Sequence, residues 1–289
     1  MLKRFSLCSS LAIATSLVAG PSPAAAQSFN ADTIAPVTTN GAIVSTSPGF
    51  TNVALNGGQT VIDWTPNDTA ISGSAIDFQS GGTATFSSAS DFAVLNRINP
   101  TDPTRLIVMN GTINSLVGSQ TGGSVFFYTP GGIVLGPNAL INVGSLVLAT
   151  SLISVDGSGQ FIGGVDGTSV TFGSAAAGSK IVTASGSTIN ALNQGSYVAM
   201  VAPRVEHNGA INVNGAAALV GAEGATINFR AGGLFDIQID TGTTDPNGVA
   251  IGDTGVITGN ASTGYPDLRR AYLVAVPKNT ALTMLISGG

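Results

Sequence analysis

The residues from Val94 to Ser151 decide the fold, and they read VLNRINPTDPTRLIVMNGTINSLVGSQTGGSVFFYTPGGIVLGPNALINVGSLVLATS. The apolar runs in this stretch are four or fewer residues long, as in Leu106 to Met109, Val125 to Tyr128 and Leu146 to Ala149. Gly, Asn, Pro and Ser interrupt these runs every few residues. Short runs that end at turn-forming residues predict β-strands and not helices.

The dipeptide Ile-Asn recurs along the chain. It occurs at Ile98-Asn99, Ile113-Asn114, Ile141-Asn142, Ile189-Asn190, Ile211-Asn212 and Ile227-Asn228. A strand-and-turn unit that repeats about every 20 residues predicts a parallel β-helix, since stacked rungs bury side chains that one rung alone leaves exposed. The long gap between Ile141 and Ile189 predicts an unmarked extra rung near Leu152 to Phe172. We expect the isoleucines inside, and each asparagine at a turn with its amide stacked along the axis.

The composition favours an all-β protein. Of the 289 residues 39 are glycine, 43% are apolar and only 9% are charged. A compact α/β enzyme would carry about 25% charged residues. Lys and Glu are scarce, which argues against a surface layer of helices. The net charge of −5 and the lack of a basic patch argue against a nucleic-acid partner.

The N-terminus has the pattern of a secretory signal peptide. Lys3 and Arg4 precede an apolar segment from Leu7 to Val18, and three alanines end at Ala26. We predict a signal peptide over residues 1–26, because the apolar segment is shorter than the ~18 residues of a membrane-spanning helix. Cleavage would remove Cys8, the only cysteine, so the mature chain would form no disulfide. Residues 27–60 are expected to cap the first rung with β-structure, because an open end exposes unpaired backbone.

Several short motifs follow one another in order through the centre of the chain. They are Asn96-Arg97-Ile98, Met109-Asn110-Gly111-Thr112-Ile113, Phe126 to Gly136, and Ala139 to Val147. In this order they resemble the N-terminal secretion domain of filamentous haemagglutinins and other two-partner secretion (TPS) exoproteins. The family pattern Asn-Pro-Asn-Gly-Ile corresponds here to Thr129-Pro130-Gly131-Gly132-Ile133. Both asparagines are absent, while Pro130, Gly132 and Ile133 match.

This resemblance implies a fold, a function and a partner. The fold would be an all-β, right-handed parallel β-helix, a single-stranded, pectin-lyase-like solenoid with an N-terminal β cap. Residues 27–235 would be the secretion domain, and residues 236–289 further rungs or the start of a truncated passenger. The chain would be a haemagglutinin or adhesin-like exoprotein that crosses the periplasm and leaves through an outer-membrane β-barrel transporter with periplasmic domains, to be secreted or held at the cell surface. The resemblance assigns transporter recognition to Asn96, Arg97, Asn110, Gly111, Pro130, Gly132, Ile133 and Asn142.

Residues suited to metal binding or catalysis are few. His207 is the only histidine, and we interpret Val205 to Gly209 around it as a surface turn. One histidine without cysteine excludes the common zinc clusters. Asp240, Asp245, Asn247 and Asp253 lack the spacing of a calcium loop. We therefore expect no cofactor, no metal and no catalytic residue.

A second hypothesis remains open, namely an extracellular β-helix protein that binds or cleaves polysaccharide. An enzyme of this kind needs an acidic or arginine-lined cleft on one outer face. The candidate residues are Asp91, Arg97, Asp102, Arg105, Arg204, Glu206 and Arg230. Their spacing in the sequence does not place them together. A ligand on a host cell or a carbohydrate surface is the other partner that the sequence leaves open.

Overall fold

The computed structural model describes residues 28–36, 42–68, 74–159, 161–164, 167–230, 234–244, 250–259 and 270–278. These residues form β-strands joined by turns and contain no helix. Within them, no segment is a helix of the length and apolar character that crossing a bilayer requires. The predicted signal peptide lies outside the described residues, and so do residues 245–248, where the sequence Asp-Pro-Asn-Gly predicts a turn.

The strands follow one another with short turns between most of them. The first ten are β1 (Ala31–Pro36), β2 (Ala42–Ser47), β3 (Phe50–Leu55), β4 (Gly58–Pro66), β5 (Ile76–Gln79), β6 (Thr83–Ser88), β7 (Phe92–Ile98), β8 (Ile107–Met109), β9 (Thr112–Val117) and β10 (Gln120–Thr121). The next eight are β11 (Ser124–Tyr128), β12 (Gly132–Leu135), β13 (Leu140–Asn142), β14 (Ser145–Ala149), β15 (Ser169–Phe172), β16 (Lys180–Thr183), β17 (Thr188–Ala191) and β18 (Tyr197–Ala202). The last eight are β19 (Arg204–His207), β20 (Ala210–Val213), β21 (Ala216–Gly221), β22 (Gly224–Arg230), β23 (Leu234–Thr241), β24 (Ile251–Asp253), β25 (Val256–Thr258) and β26 (Arg270–Ala275).

Three sheets run along the molecule, and each rung adds one strand to each of them. Sheet A has the order β1-β4-β7-β11-β14-β18-β21-β26, sheet B the order β2-β3-β6-β9-β13-β17-β20-β25, and sheet C the order β5-β8-β12-β16-β19-β24. From β4 onward the neighbours in sheet A are parallel, as are those in sheet B from β3 onward and those throughout sheet C. The predicted all-β architecture of stacked parallel rungs, a fold of the β-helix type, is confirmed.

The repeated isoleucines line the interior, as predicted. Ile113 pairs with Ile141, Ile141 with Ile189, and Ile189 with Ile211 on successive strands of sheet B. All four are at most 1% exposed. Burying an aliphatic side chain contributes about 1.5–3 kcal/mol, so this row of side chains is a main source of cohesion between rungs.

Antiparallel strands and aromatic side chains occupy the N-terminal end. β1 pairs antiparallel with β4, and β2 pairs antiparallel with β3. Phe29 is 1% exposed. Its ring lies 5.0 Å from that of Trp64 and 4.9 Å from that of Phe78. The first parallel rung therefore packs against an aromatic cluster at this end.

Two expectations about the repeat are wrong. Asn142 pairs directly with Asn190, so no extra rung lies between Ile141 and Ile189. The chain leaves the solenoid after Ala149 instead, and its next strand, β15, pairs antiparallel with β22. Ile227-Asn228 lies in β22, outside the rungs. Residues 236–240, expected to continue the rungs or to start a passenger, belong to β23, which is antiparallel to β22. The rungs resume at β24.

The strands β15, β22 and β23 form a fourth sheet, D, that covers the outer face of sheet A. Phe161, Phe172 and Phe229 are at most 2% exposed and belong to the apolar cluster between the two sheets. The middle of sheet A is therefore buried on both faces, and every residue of β14, β18 and β21 is buried.

Candidate functional site

The eight residues assigned by resemblance fall in two consecutive rungs. Asn96 and Arg97 lie in β7, Asn110 and Gly111 follow β8, Pro130 precedes β12, Gly132 and Ile133 lie in β12, and Asn142 lies in β13. They are distributed over all three sheets and over both the inner and outer faces. Adjacent rungs bring them near one another along the axis, but they do not form one continuous surface.

Asn96 is a buried polar side chain in an otherwise apolar row. On sheet A it aligns with Ile62 of the preceding rung and Phe127 of the following one, and it is fully buried. Its Oδ1 accepts a hydrogen bond from Trp64 Nε1 at 3.0 Å, and its Nδ2 donates to the Phe126 carbonyl oxygen at 3.1 Å. Because buried polar groups are costly when unpaired, Asn96 fixes three rungs relative to one another.

Arg97 lies on the outer face of sheet A. Its Nε and Nη2 donate to the two carboxylate oxygens of Asp63 at 2.7 and 2.6 Å. The Arg97 side chain is 23% exposed, so this pair contributes at most about 1 kcal/mol. Burial raises the pKa of the neighbouring Tyr128, although the positive charge of Arg97 opposes this shift. Arg97 is the motif residue with a charged group in reach of solvent.

Asn110 and Gly111 make the corner between sheets C and B. Asn110 Oδ1 accepts a hydrogen bond from the backbone N–H of Asn138 in the next rung, at 2.9 Å. A Cβ atom on Gly111 would lie 2.8 Å from the carbonyl oxygen of Gly82 in the preceding rung. The two rungs therefore lie too close together at this corner for a residue larger than glycine at position 111.

The corner from Thr129 to Gly132 accounts for the departure from the family pattern. A Cβ atom on Gly131 would overlap the carbonyl oxygen of Arg105 and lie 2.7 Å from the carbonyl carbon of that residue. An asparagine at position 131 therefore does not fit beside this loop. Gly132 has φ of 134°, a conformation that favours glycine. Thr129 is fully buried, and its Oγ1 has no hydrogen-bond partner among the described residues.

The predicted asparagine ladder is present on sheet B. Asn142 Nδ2 donates to Asn114 Oδ1 at 3.1 Å, Asn190 Nδ2 to Asn142 Oδ1 at 2.9 Å, and Asn212 Nδ2 to Asn190 Oδ1 at 2.8 Å. Thr258 Oγ1 continues the series to Asn212 Oδ1 at 2.6 Å. The expected position at turns is wrong, because these asparagines lie within strands and alternate with the buried isoleucines. They lie on the outer face of the sheet.

The interpretation of His207 as part of a surface turn is also wrong. His207 ends β19 and is fully buried, and its Nδ1 lies 2.7 Å from Thr183 Oγ1 in the rung before it. Its Nε2 has no hydrogen-bond partner in the described part of the chain. Burial lowers the pKa of His207, and the carboxylate of Asp253 opposes that shift. The alternation Val205-Glu206-His207 before Asn208-Gly209 was the signal for a strand followed by a turn.

Two depressions were not foreseen from the sequence. One, of about 340 Å³, lies between the rungs and sheet D and is lined in part by Asp91, Tyr197, Phe229 and Arg230. The Tyr197 hydroxyl donates to the Gly164 carbonyl oxygen at 2.8 Å, and burial raises the Tyr197 pKa. The other, of about 320 Å³, runs beside the asparagine ladder and is lined by Asn114, Thr121, Asn142, Asn190, Leu192 and Asn193.

Most charged residues considered for catalysis have partners in separate ion pairs. Arg97 binds Asp63, Arg105 lies 3.9 Å from Asp68, Arg204 binds Glu206, and Arg230 binds Asp236. Among the described residues no three His, Cys, Asp or Glu side chains are grouped so that they could hold a metal ion. Of the acidic residues considered for calcium, Asp240 Oδ2 accepts from Thr226 Oγ1 and Asp253 Oδ1 accepts from the Gly255 N–H. Asp245 and Asn247 lie outside the described residues.

Glu223 joins the end of sheet A to the segment that follows sheet D. Its Oε1 accepts from the N–H and the hydroxyl of Thr244 at 3.1 and 2.7 Å, and its Oε2 from Lys278 Nζ at 3.0 Å. These bonds, the Thr244 hydroxyl foremost, lower the pKa of Glu223. This cluster serves to anchor the insertion.

The comparisons with known proteins point to one kind of fold. No family model matches the sequence, and no curated protein does. Among solved structures, the chain is similar to the HMW1 secretion domain from Haemophilus influenzae, with a TM-score of 0.53 and 18% sequence identity. The similarity covers 79% of this chain and 57% of the HMW1 chain, so the chain spans little more than half of that structure. At this identity the likeness shows a shared fold alone.

Proposed function

We propose that this chain is a secretion domain of the two-partner type. It directs an adhesin-like exoprotein through a dedicated outer-membrane β-barrel transporter with periplasmic domains, and its rungs nucleate the fold of the chain that follows. The main support for the proposal is the position of the motif residues in the fold. The motif residues occupy two consecutive rungs of a solenoid whose fold is similar to that of the HMW1 secretion domain.

In this proposal, the signal peptide at residues 1–26 starts the export of the chain. The chain then passes through the periplasm and is released or retained at the cell surface. Mass spectrometry of the exported chain tests the first step, since cleavage before Gln27 gives a defined mature mass.

The burial of the motif residues bears on how a transporter recognises them. Asn96, Gly111, Gly132 and Ile133 are buried in the folded rungs, whereas Arg97, Asn110, Pro130 and Asn142 are partly exposed. A transporter therefore reads the buried positions before folding, when an extended segment can add as a strand to the edge of a receptor sheet. Folding outside then hides them. Because each rung pairs only with its neighbours, rungs that form as they emerge oppose backward sliding.

The proposed role is not enzymatic. A lyase or hydrolase needs its acidic and basic groups gathered in one cleft. Asp91 and Arg230 line one depression, but Arg230 is paired with Asp236. Arg97 and Arg204 form ion pairs elsewhere, which supports this interpretation. We also assign the solenoid a right-handed winding, which follows the strong preference of parallel strand–crossover–strand connections. A crystal structure of the chain tests the handedness.

A secretion assay with matched arginine variants tests the proposal. The chain is expressed with and without a barrel transporter of the two-partner type from the same genome, and the chain in the medium is measured. We expect release only with the transporter. Arg97→Gln should reduce release several-fold, while Arg204→Gln should not, although the two side chains are similarly exposed at 23% and 25%.

A binding experiment separates recognition from folding. The chain unfolded in urea is diluted onto the immobilised periplasmic domains of that transporter and compared with the folded chain. Tighter capture of the unfolded chain supports recognition before folding. Equal release with and without the transporter, or no capture of either form, would contradict the proposed function.

A further inference from the structure

The outer face of sheet B differs from the outer faces of the other two sheets. Sheet A is covered by sheet D. Sheet C carries the charged side chains of Lys180, Arg204 and Glu206 on its outer side. On sheet B, the outward positions of β3, β6, β9, β13, β17, β20 and β25 carry no charged residue. This face is open and uncharged over seven successive strands, and its threonine, serine and asparagine side chains lie beside exposed apolar ones such as Phe50, Leu140 and Val256.

The ladder asparagines keep unused hydrogen-bonding capacity. A carboxamide has two N–H donors and an oxygen with two lone pairs. Within the ladder, Asn142 and Asn190 each donate one N–H bond and accept one bond at Oδ1. One donor and one acceptor therefore remain at each of them. Neighbouring strands are about 4.8 Å apart, so the free groups recur at that interval along the axis.

Side chains beside the ladder give it a wall and a neighbouring row of mixed character. Thr121, Leu192 and Asn193 line the same depression as the ladder asparagines, and Asn193 Nδ2 donates to the Thr121 carbonyl oxygen at 2.7 Å. On the same outer face, Thr112 and Thr188 flank Leu140, which is 37% exposed, so hydroxyls and one apolar side chain lie next to the amides. The result is a trough that follows the ladder.

We propose that this trough binds an uncharged polysaccharide chain laid along the solenoid axis. Sugar hydroxyls are donors and acceptors at once, so they complement amides that each offer one free donor and one free acceptor. The absence of charge on the described part of this face favours a neutral ligand over an acidic glycan. An added protein strand is a poorer match, because the backbone groups of the inner strands of sheet B are already paired. This inference does not depend on the secretion role.

Affinity gel electrophoresis of the purified full chain provides the test. The gels contain dextran, mixed-linkage β-glucan, galactomannan or xyloglucan as neutral probes, and polygalacturonate as an acidic probe. We expect at least one neutral polysaccharide to retard the chain, and polygalacturonate not to. The double variant Asn142→Val with Asn190→Val should lose at least tenfold in affinity, since β-branched residues suit a strand but offer no amide.

The control variant is Asn228→Val. Asn228 also follows an isoleucine and is partly exposed, but it lies in sheet D, so its loss should leave binding unchanged. If the double variant does not fold by circular dichroism, Thr188→Lys replaces it. That change places a charge on the trough without removing a ladder bond, and it should weaken binding to a similar degree.

Three results would overturn the proposal. They are no retardation by any neutral polysaccharide, equal binding by the trough variants and the parent chain, and retardation by polygalacturonate alone. Sedimentation velocity adds a fourth: a dimer that Thr188→Lys dissociates would assign the face to a second copy of the chain.

Discussion

Sheets A and B are built from the same rungs, yet their sequences follow different patterns. In sheet B, β17 and β20 alternate between partly exposed and buried residues. In sheet A, β18 and β21 are buried at every position. The difference arises because sheet D covers the outer side of sheet A, while the outer side of sheet B is open to solvent. The pattern of buried and exposed residues along a strand therefore shows whether one or both faces of its sheet are covered.

The covered face of sheet A also shows how small and large residues complement each other. Ala199, Ala216 and Ala218 belong to the cluster beneath sheet D, together with Phe126 and Phe229. Small side chains on one surface leave room for rings from the other, as close packing requires. Among the described residues sheet B has no such partner, and its outer positions carry polar side chains together with exposed apolar ones such as Leu140.

The largest effect is expected at the interior row that sheet B contributes. Changing Ile141 to Asn removes an apolar contact and buries an amide, so the variant should lose about 5 kcal/mol or fail to fold. Urea denaturation followed by circular dichroism measures the loss. Asn110→Ser, at a corner, should be much milder. If both changes proved equally harmless, the inward position of Ile141 would be wrong.

The next effect compares the two outer faces directly. Phe126 is fully buried, and its ring lies 4.7 Å from that of Phe161. Phe126→Ala should reduce the free energy of unfolding by about 3–5 kcal/mol. Leu140 lies on the outer face of sheet B and is 37% exposed. Leu140→Ala should therefore change the free energy of unfolding by about 0.5 kcal/mol or less. Similar losses in the two variants would mean that sheet D does not cover sheet A.

A smaller effect is expected from the ladder. Asn190→Ala removes the bond to Asn142 and the one from Asn212, so the unfolding free energy should fall by about 1–2 kcal/mol. Asn228→Ala, in sheet D, is the matched comparison and should cost less. An equal loss in both would indicate that the ladder adds nothing to the outer face of sheet B.

The smallest effect is expected at His207, which lies in the interior beneath sheet C. Burial lowers the pKa of His207 from 6.5, so the unfolded chain binds a proton more readily than the folded one. The contribution of His207 to stability is then present above about pH 6.5 and is lost as the pH falls toward the lowered pKa of the folded state. His207→Gln should flatten this part of the profile, measured as the urea midpoint against pH. If the urea midpoint of the variant fell with pH as steeply as that of the parent chain, groups other than His207 would cause the loss of stability in acid.

Much of the solenoid could be predicted from local patterns. The short apolar runs correctly predicted the strands β8, β11, β12 and β14, because a short strand between two turns depends mainly on its own residues. The Ile-Asn pairs predicted both the buried row and the ladder, since side chains in equivalent positions of stacked rungs must meet.

What could not be predicted depended on contacts between distant segments. The chain after Ala149 reads like another rung, but β15 pairs with β22, more than fifty residues later. Ile227-Asn228 has the same two letters as the ladder pairs and lies in a different sheet. His207 is buried because Thr183 and the last rung pack around it, which its neighbours in sequence do not reveal. The signal peptide and the role of the motif residues in transporter recognition stay predictions.

The two departures from the solenoid begin at the same corner, where the chain passes from sheet A to sheet C. The chain leaves the solenoid there after Ala149 and again after Gly221, and the strands of sheet C on either side still stack in register. Lengthening a flexible loop adds little closure entropy, because the penalty grows only with the logarithm of its length. This edge is therefore a natural attachment point for engineering. A foreign epitope inserted in the exposed turn at Asp156 to Gly159 should be displayed without disturbing the rungs on either side.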